Sequence, residues 1–439
     1  MTFSVSVWRD LLPAVTVVAT LLNSNPLPAA DLDTSCCADL DERISALEAT
    51  ASSRGDRKIE LTISGTVAQQ LTCWDDGGTS DAYVHSLASQ NPHFKFGGAA
   101  KFSTSTKAGY LLRIQTFHAY PFLRLDDGNG MDQNSDERTF GLDTHMSYWF
   151  IENTDLGRLT LGRQSNAAKA VAMQTDQSGT QPFDNYTMLT GLPQFIIRSN
   201  GDLKPEKLTW AELSFCHTQA MPLGADCNGV SLDGVRYDTP SLNGLVLSAS
   251  WGSDDFWEAA ARYNAEAGGY KFALGAGFSH TDDETTFLSP LTFEKNSDYY
   301  QIGGYIQHLG TGLFGHAAYG IEDNHNTRLL NGTTTRNGEH FGLKAGIRAN
   351  WNSLGTTVVY GDYTAYYDQL GATALSLGAT SSRFDRFGGG IAQEFDAASM
   401  TLYFKYQHYA AAISGASLDA AAAHLDDADF ISVGDIITF

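Results

Sequence analysis

Residues 340–351 read His340-Phe341-Gly342-Leu343-Lys344-Ala345-Gly346-Ile347-Arg348-Ala349-Asn350-Trp351. Odd positions carry Phe, Leu, Ala, Ile, Ala and Trp, and even positions carry His, Gly, Lys, Gly, Arg and Asn. Successive side chains of a β-strand point to opposite faces, so this is a strand with one apolar and one polar face. It is also long, because strands of soluble proteins usually run about 5 to 6 residues.

Working outward, the same period of two starts near Lys58 and continues to Phe439. Ile59, Leu61, Ile63, Val67 and Leu71 alternate with Glu60, Thr62, Ser64, Thr66, Ala68 and Gln70. Phe94, Phe96, Ala100 and Phe102 alternate with Lys95, Gly97, Ala99 and Lys101. Tyr110, Leu112 and Ile114 alternate with Leu111, Arg113 and Gln115, Leu111 being an exception, and Met400, Leu402, Phe404 and Tyr406 oppose Thr401, Lys405 and Gln407. The alternation predicts sixteen strands, near 59–73, 93–105, 108–119, 138–153, 156–164, 229–239, 244–252, 256–267, 270–281, 297–309, 312–322, 338–352, 355–368, 383–395, 399–410 and 428–439. Short turns alternate with long loops near 74–92, 120–137, 165–228, 282–296, 323–337, 369–382 and 411–427.

Such strands build either a soluble sandwich with apolar faces inward or a membrane barrel with apolar faces toward lipid. Strand length, the strict alternation of short and long connections, the even strand number and the terminal Phe439 all favour the barrel. The expected fold is therefore all-β: a 16-stranded antiparallel transmembrane β-barrel, wide enough for an aqueous lumen.

Composition agrees. The chain has 439 residues, 42% hydrophobic and 18% charged, with 43 Gly, 24 Phe and 19 Tyr. An average soluble domain is about 25% charged. After the N-terminus no run approaches the ~20 apolar residues of a spanning helix, which excludes a helical bundle. A net charge of −22 argues against nucleic acid as a partner, since that binding neutralises phosphates with clustered Lys and Arg. The aromatic content excludes disorder.

Residues 1–30 place Arg9 ahead of the apolar run Leu11–Leu22 and end on Pro28-Ala29-Ala30, the form of a signal peptide. Residues 31–57 contain Leu40, Ile44, Leu47 and Ala51, a short helical seam suited to a periplasmic helix or coiled coil, then a linker. Cys36 and Cys37, adjacent and exported, suit disulfides between subunits. The barrel occupies 58–439.

The ordered motifs resemble the general diffusion porins of Gram-negative bacteria, in particular the alphaproteobacterial (rhizobial-type) branch. The resemblance rests on Cys36-Cys37-Ala38-Asp39-Leu40-Asp41-Glu42-Arg43-Ile44 with Leu61-Thr62-Ile63-Ser64-Gly65, on Gly157-Arg158-Leu159-Thr160-Leu161-Gly162-Arg163-Gln164, on Gly234-Val235-Arg236-Tyr237-Asp238-Thr239-Pro240 with Gly244 and Ser248-Ala249-Ser250-Trp251-Gly252, and on the closing Ser432, Gly434, Ile437 and Phe439. It implies a homotrimer in the outer membrane that passively passes small hydrophilic solutes and ions, placed by the barrel assembly machinery among lipid and lipopolysaccharide. It also implies a third loop folded inward as a constriction, here 165–228. Asp435 departs from the pattern by sharing the parity of Val433 and Ile437, so either the register shifts there or a partner covers it.

A constriction that selects solutes needs opposed charges. Lys95, Lys101, Arg113, Arg236, Arg262, Lys271, Lys344, Arg348, Arg386 and Lys405 share the polar parity. For most of them the ordinary reading is a solvated lumen residue, because a charge facing lipid costs about 2–4 kcal/mol near mid-bilayer. Three are candidates for the pore constriction: Lys101, Arg113 and Arg163. Strict parity groups Arg163 with Leu159 and Leu161, whereas the resemblance places it in the pore. The first acids to oppose them are Asp176 and Asp184, with Asp202 and Glu206 behind. Cys216 and Cys227 are a candidate disulfide within the loop, leaving Cys73 over.

Other chemistries fare worse. The acidic stretch 126–137 lacks the spacing of the twelve-residue calcium loop, and the scattered His offer no zinc motif, so no metal and no cofactor are expected. Ser199-Asn200-Gly201 echoes part of an outer-membrane phospholipase motif, but the His expected two residues earlier is Ile197, so no catalytic residue is expected. The remaining rival is a substrate-specific channel for sugars or small acids. The sign of ion preference stays open: the net −22 favours cations, the polar wall is basic, and only charges at the constriction decide.

Overall fold

The structure, a computed structural model, describes residues 60–117, 141–185, 195–203, 208–217, 227, 231–252, 255–283, 295–325, 335–415, 418 and 424–439. The expected signal peptide, the helical seam with Cys36 and Cys37, the acidic stretch 126–137 and Glu206 lie outside these residues. The strands are β1 (Glu60–Asp75), β2 (Ser80–Ser86), β3 (His93–Lys101), β4 (Thr106–Phe117), β5 (Gly141–Asn153), β6 (Gly157–Ser165), β7 (Ser231–Asp238), β8 (Leu245–Gly252) and β9 (Trp257–Ala267). They continue as β10 (Tyr270–Asp283), β11 (Lys295–His308), β12 (Leu313–Asn324), β13 (Gly338–Asn352), β14 (Gly355–Tyr367), β15 (Ser381–Phe395), β16 (Met400–Ser414) and β17 (Ala428–Thr438). One short helix, α1 (Ala372–Ser376), follows β14.

From β3 to β17 each strand pairs antiparallel with the next, and β17 pairs with β1 from Thr66↔Thr438 to Asp75↔Asp429, closing the sheet. Phe439 completes the closure by exchanging backbone hydrogen bonds with Gly65 at 2.8 and 3.1 Å. A Cβ on Gly65 would run into the Phe439 ring and the His93 carbonyl, so glycine is required by this approach. Both β2 and β3 pair with β1 and are separated by a 3-10 turn, Ala88–Gln90. They form one interrupted stave, and the barrel has sixteen.

That interruption corrects one expectation, for 74–92 is not a long loop. Asp76 accepts from the backbone N–H groups of Gly78 and Thr79 at 3.0 and 2.7 Å, making a tight turn. The chain then returns along β1 with Gln69 opposite Ser86.

The two faces differ as the alternation requires. On β11 the exposed Tyr300, Ile302 and Ile306 alternate with the buried Tyr299, Gln301, Tyr305 and Gln307. On β13 Leu343 is exposed while His340 and Lys344 are buried. An exposed apolar row on strand after strand is the pattern of a barrel turned toward lipid. Asp435 stays in the row of Val433 and Ile437 with no register shift, opposite Gln69 on β1 and Leu402 on β16.

Candidate functional site: a charged segment on the polar wall

The chain leaves β6 through Gly162, whose φ of +123° lies in a region disfavoured for L side chains, and through Gln164, which donates to the carbonyls of Thr160 and Gly234. Residues 166–185 then run across the polar face of β8 to β16. Ala167 N donates to Ser250 Oγ and Ala168 N to Glu258 Oε2, at 2.9 and 2.8 Å. Gln301 brackets the next turn, accepting from Ala172 N and donating to Ala168 O, both at 2.9 Å. At the far end Lys405 donates to Phe183 O and Ser89 to Pro182 O. Small wall residues make room: a Cβ on Gly275 would press on Val171, and one on Gly303 would enter the backbone of Ala172.

The segment's two acids are the centre of the arrangement. Lys344 Nζ donates to Asp176 Oδ2 at 2.8 Å, Thr180 Oγ1 at 2.7 Å and Asp184 O at 2.5 Å. Burial pushes the Asp176 carboxyl up, but the Lys344 ammonium, with His316 and the Ser178 hydrogen bond, more than offsets it and holds the group below its ordinary value. Asp184 accepts from Tyr360 at 2.6 Å and Gln407 at 3.0 Å, and lies 3.5 Å from Arg386, whose other contacts include Asp362 at 2.9 Å. Arg348 grips Glu394 with both terminal nitrogens, at 2.6 and 2.8 Å, and donates to Ser178 O.

The other candidates lie elsewhere. Arg113 is on the polar face with Lys95 directly opposite and His93 Nδ1 3.3 Å away. Lys101 ends β3 opposite Lys107, six residues or about 20 Å of strand from Lys95, and is not brought to the acids. Arg163 stands opposite Asp233, 3.9 Å away, in the row of Leu161 and Leu159. Ser231 of the same row is buried against Lys169 of the segment, so the row does not fix the face at this end of the strand.

The second part of the long connection does something the alternation did not foretell. Phe195, Ile197, Leu208, Trp210 and Leu213 pack with Trp74, Tyr83, Tyr366, Phe384, Tyr409 and Phe430, aromatics at polar parity near the long-loop ends of their strands. Trp210 is fully buried, with ring centroids 5.0 Å from Phe384 and 5.3 Å from Tyr409. Asp202 closes a small turn with Ser199 here. Glu212 accepts from Thr373 N at 2.9 Å on α1, and burial raises its carboxyl.

A sequence profile described as Gram-negative porin matches residues 44–310, more than half of the chain. The chain belongs to the Gram-negative porin family. This porin also shares its fold with solved barrels at low identity. The anion-selective porin from Comamonas acidovorans aligns with a TM-score of 0.54 at 14% identity, covering 87% of this chain and all of that one. OmpF of Salmonella typhi, solved with daunomycin, aligns with a TM-score of 0.52 at 12% identity, covering 87% of this chain and 98% of that one. No curated protein matches the sequence significantly. The porin is an outer-membrane channel for passive diffusion of small solutes, in a family and fold of non-enzymatic channels.

Two expected results arise directly from this geometry. In the porin Cys216 and Cys227 are joined by a disulfide across a separation of eleven residues. Closing a loop of that size stabilises by about 3 kcal/mol in the chain-entropy account. Replacing both by Ser should make 208–227 the first site of protease cleavage while the barrel stays resistant, and a cleavage pattern identical to wild type would count against it. Gly303→Val should cost about 1–3 kcal/mol through overpacking and push Ala172 off the wall. Single-channel conductance should fall, and an unchanged value would show that the segment does not border the pore.

Proposed function

We propose that this porin is a general diffusion pore, with residues 166–185 folded inward as its constriction. The observation that carries the reading is coverage. One continuous segment is fastened to the polar face from β8 to β16, and of its accessible side chains Lys169 bonds Ser231 on β7 and Gln177 bonds Asn264 on β9. The polar face then lines water, and the apolar face meets lipid.

A homotrimer fits the opposite surface. Asp435 and Gln69 sit opposite each other within an exposed apolar row on β17 and β1, and an acid there is costly against lipid. A second copy of the chain covers it. Sedimentation in detergent should give three chains per particle, and Asp435→Leu should leave the barrel folded while altering association.

Planar-bilayer recording of the refolded chain tests the pore. Conductance rising linearly with salt supports general diffusion. Current that saturates and is blocked competitively by one sugar or small acid supports a substrate-specific channel instead.

A further inference from the structure

We propose that the pore prefers anions and that Lys95 and Arg113 set this sign, in a chain whose net charge is −22. The inference rests on the constriction reading above. Residues 165–194 contain only two acids, Asp176 and Asp184. Both are buried in contact with cations of the wall, Asp176 with Lys344 and Asp184 with Arg386. Their charge is cancelled at contact distance and does not project into the lumen. The side chains that the described part of the segment leaves accessible are Lys169, Met173, Gln174, Gln177, Gln181 and Pro182, with no acid among them.

On the uncovered wall the balance is opposite. Lys95 and Arg113 are directly paired across β3 and β4, and neither has an acid within ion-pair distance among the described residues. Among the described residues Arg113 Nε has no hydrogen-bond partner, and neither does Nε2 of the buried His93 beside it. Like charges directly opposite each other work against a sheet, and a passing anion supplies the missing counter-charge. Neighbouring acids are already engaged: Glu152 with Lys107 and Arg158, and Asp238 with Arg236. Among the described residues the exception is Asp143, exposed one polar row further toward the loops and 3.4 Å from Gln115. Lys169, which donates to Ser231 Oγ, adds a cation from the segment. Low-dielectric walls focus the field of such a cluster. Charges in distant loops and turns are screened within about 10 Å at 0.1 M salt.

The test is the zero-current potential of the refolded full chain in a KCl gradient, with circular dichroism confirming the barrel in every variant. The wild type should favour chloride over potassium by about tenfold, the lower end of the range by which a focused field raises the local counter-ion concentration. Lys95→Gln with Arg113→Gln should bring the ratio near unity, and Lys95→Glu with Arg113→Glu should invert it. Lys107→Gln, at the short-turn end, should leave it unchanged. Cation preference in the wild type, or equal potentials in the wild type and the charge-reversed variant, overturns the inference while the pore reading stands. A folded barrel with no conductance overturns both.

Discussion

Arg386→Ala should release residues 166–185 from the wall and lower the stability of the assembled porin by about 3–5 kcal/mol, the usual loss when one member of a buried ion pair is removed. The Arg386 side chain is fully buried, as is that of Asp184, and that of Asp362 is 2% exposed. Its guanidinium lies between the two carboxylates and also donates to Asn185 O at 2.8 Å. Without it, two buried acids face each other with no cation between them. Tyr360 and Gln407 still donate to Asp184, but neutral donors do not replace a charge. The triple variant Arg386→Met, Asp184→Asn, Asp362→Asn removes the charges together and should recover most of the loss, because an apolar or neutral replacement of a buried ion group is often tolerated. Proteolysis within 166–185 and thermal unfolding of the detergent-solubilised protein read the difference. Equal behaviour of the single and triple variants would show that the cost is lost packing and not unpaired charge.

How much of this was legible in the sequence depends on what each residue faces. Strands whose faces meet lipid and water announce themselves by parity alone, and 338–352 was expected and is found with the same limits. The miss at β2 has a local cause. The stretch Ser80–Ser86 offers little exposed apolar surface beyond Val84 and follows an Asp76 turn rich in glycine, so it reads as loop.

The aromatic cluster around Trp210 breaks the two-face rule. Tyr366, Phe384, Tyr409 and Phe430 sit at polar parity because a returning chain segment, not water, covers them there. Aromatics at polar positions near the long-loop ends were the available signal. The ion pairs gave none, since Lys344 and Asp176 are 168 residues apart and Arg386 and Asp184 are 202 apart. Lys344 and Arg386 are identical in pattern to solvated wall residues until the partners are placed. Arg163 shows the limit of parity: its register puts it in the row of Leu161, while Ser231 in that row turns to Lys169 of the segment.

Lys344→Met should loosen the segment at both ends of its charged turn and change how the porin responds to acid. All three donors of the ammonium are used, two of them on residues 176–180 and one on the Asp184 carbonyl. Met has similar length but donates nothing, so Asp176 is left buried with only neutral partners such as Ser178 N. The loss should again be about 3–5 kcal/mol, with Asp176→Asn added in the double variant recovering part of it. The acid response follows from the sign of the Asp176 shift. In the wild type the carboxyl is held below its ordinary value by Lys344 against the upward push of burial. Its contribution is therefore full above the unfolded value of about 4 and is lost only as pH falls through the lower folded value. In Lys344→Met burial is opposed only by His316 and the Ser178 hydrogen bond, so the carboxyl takes up its proton at higher pH than in the wild type. Single-channel records between neutral and acid pH should show the variant altering its conductance well above the pH at which the wild type does. Coincident pH profiles for the two would mean that Lys344 does not hold the segment through Asp176.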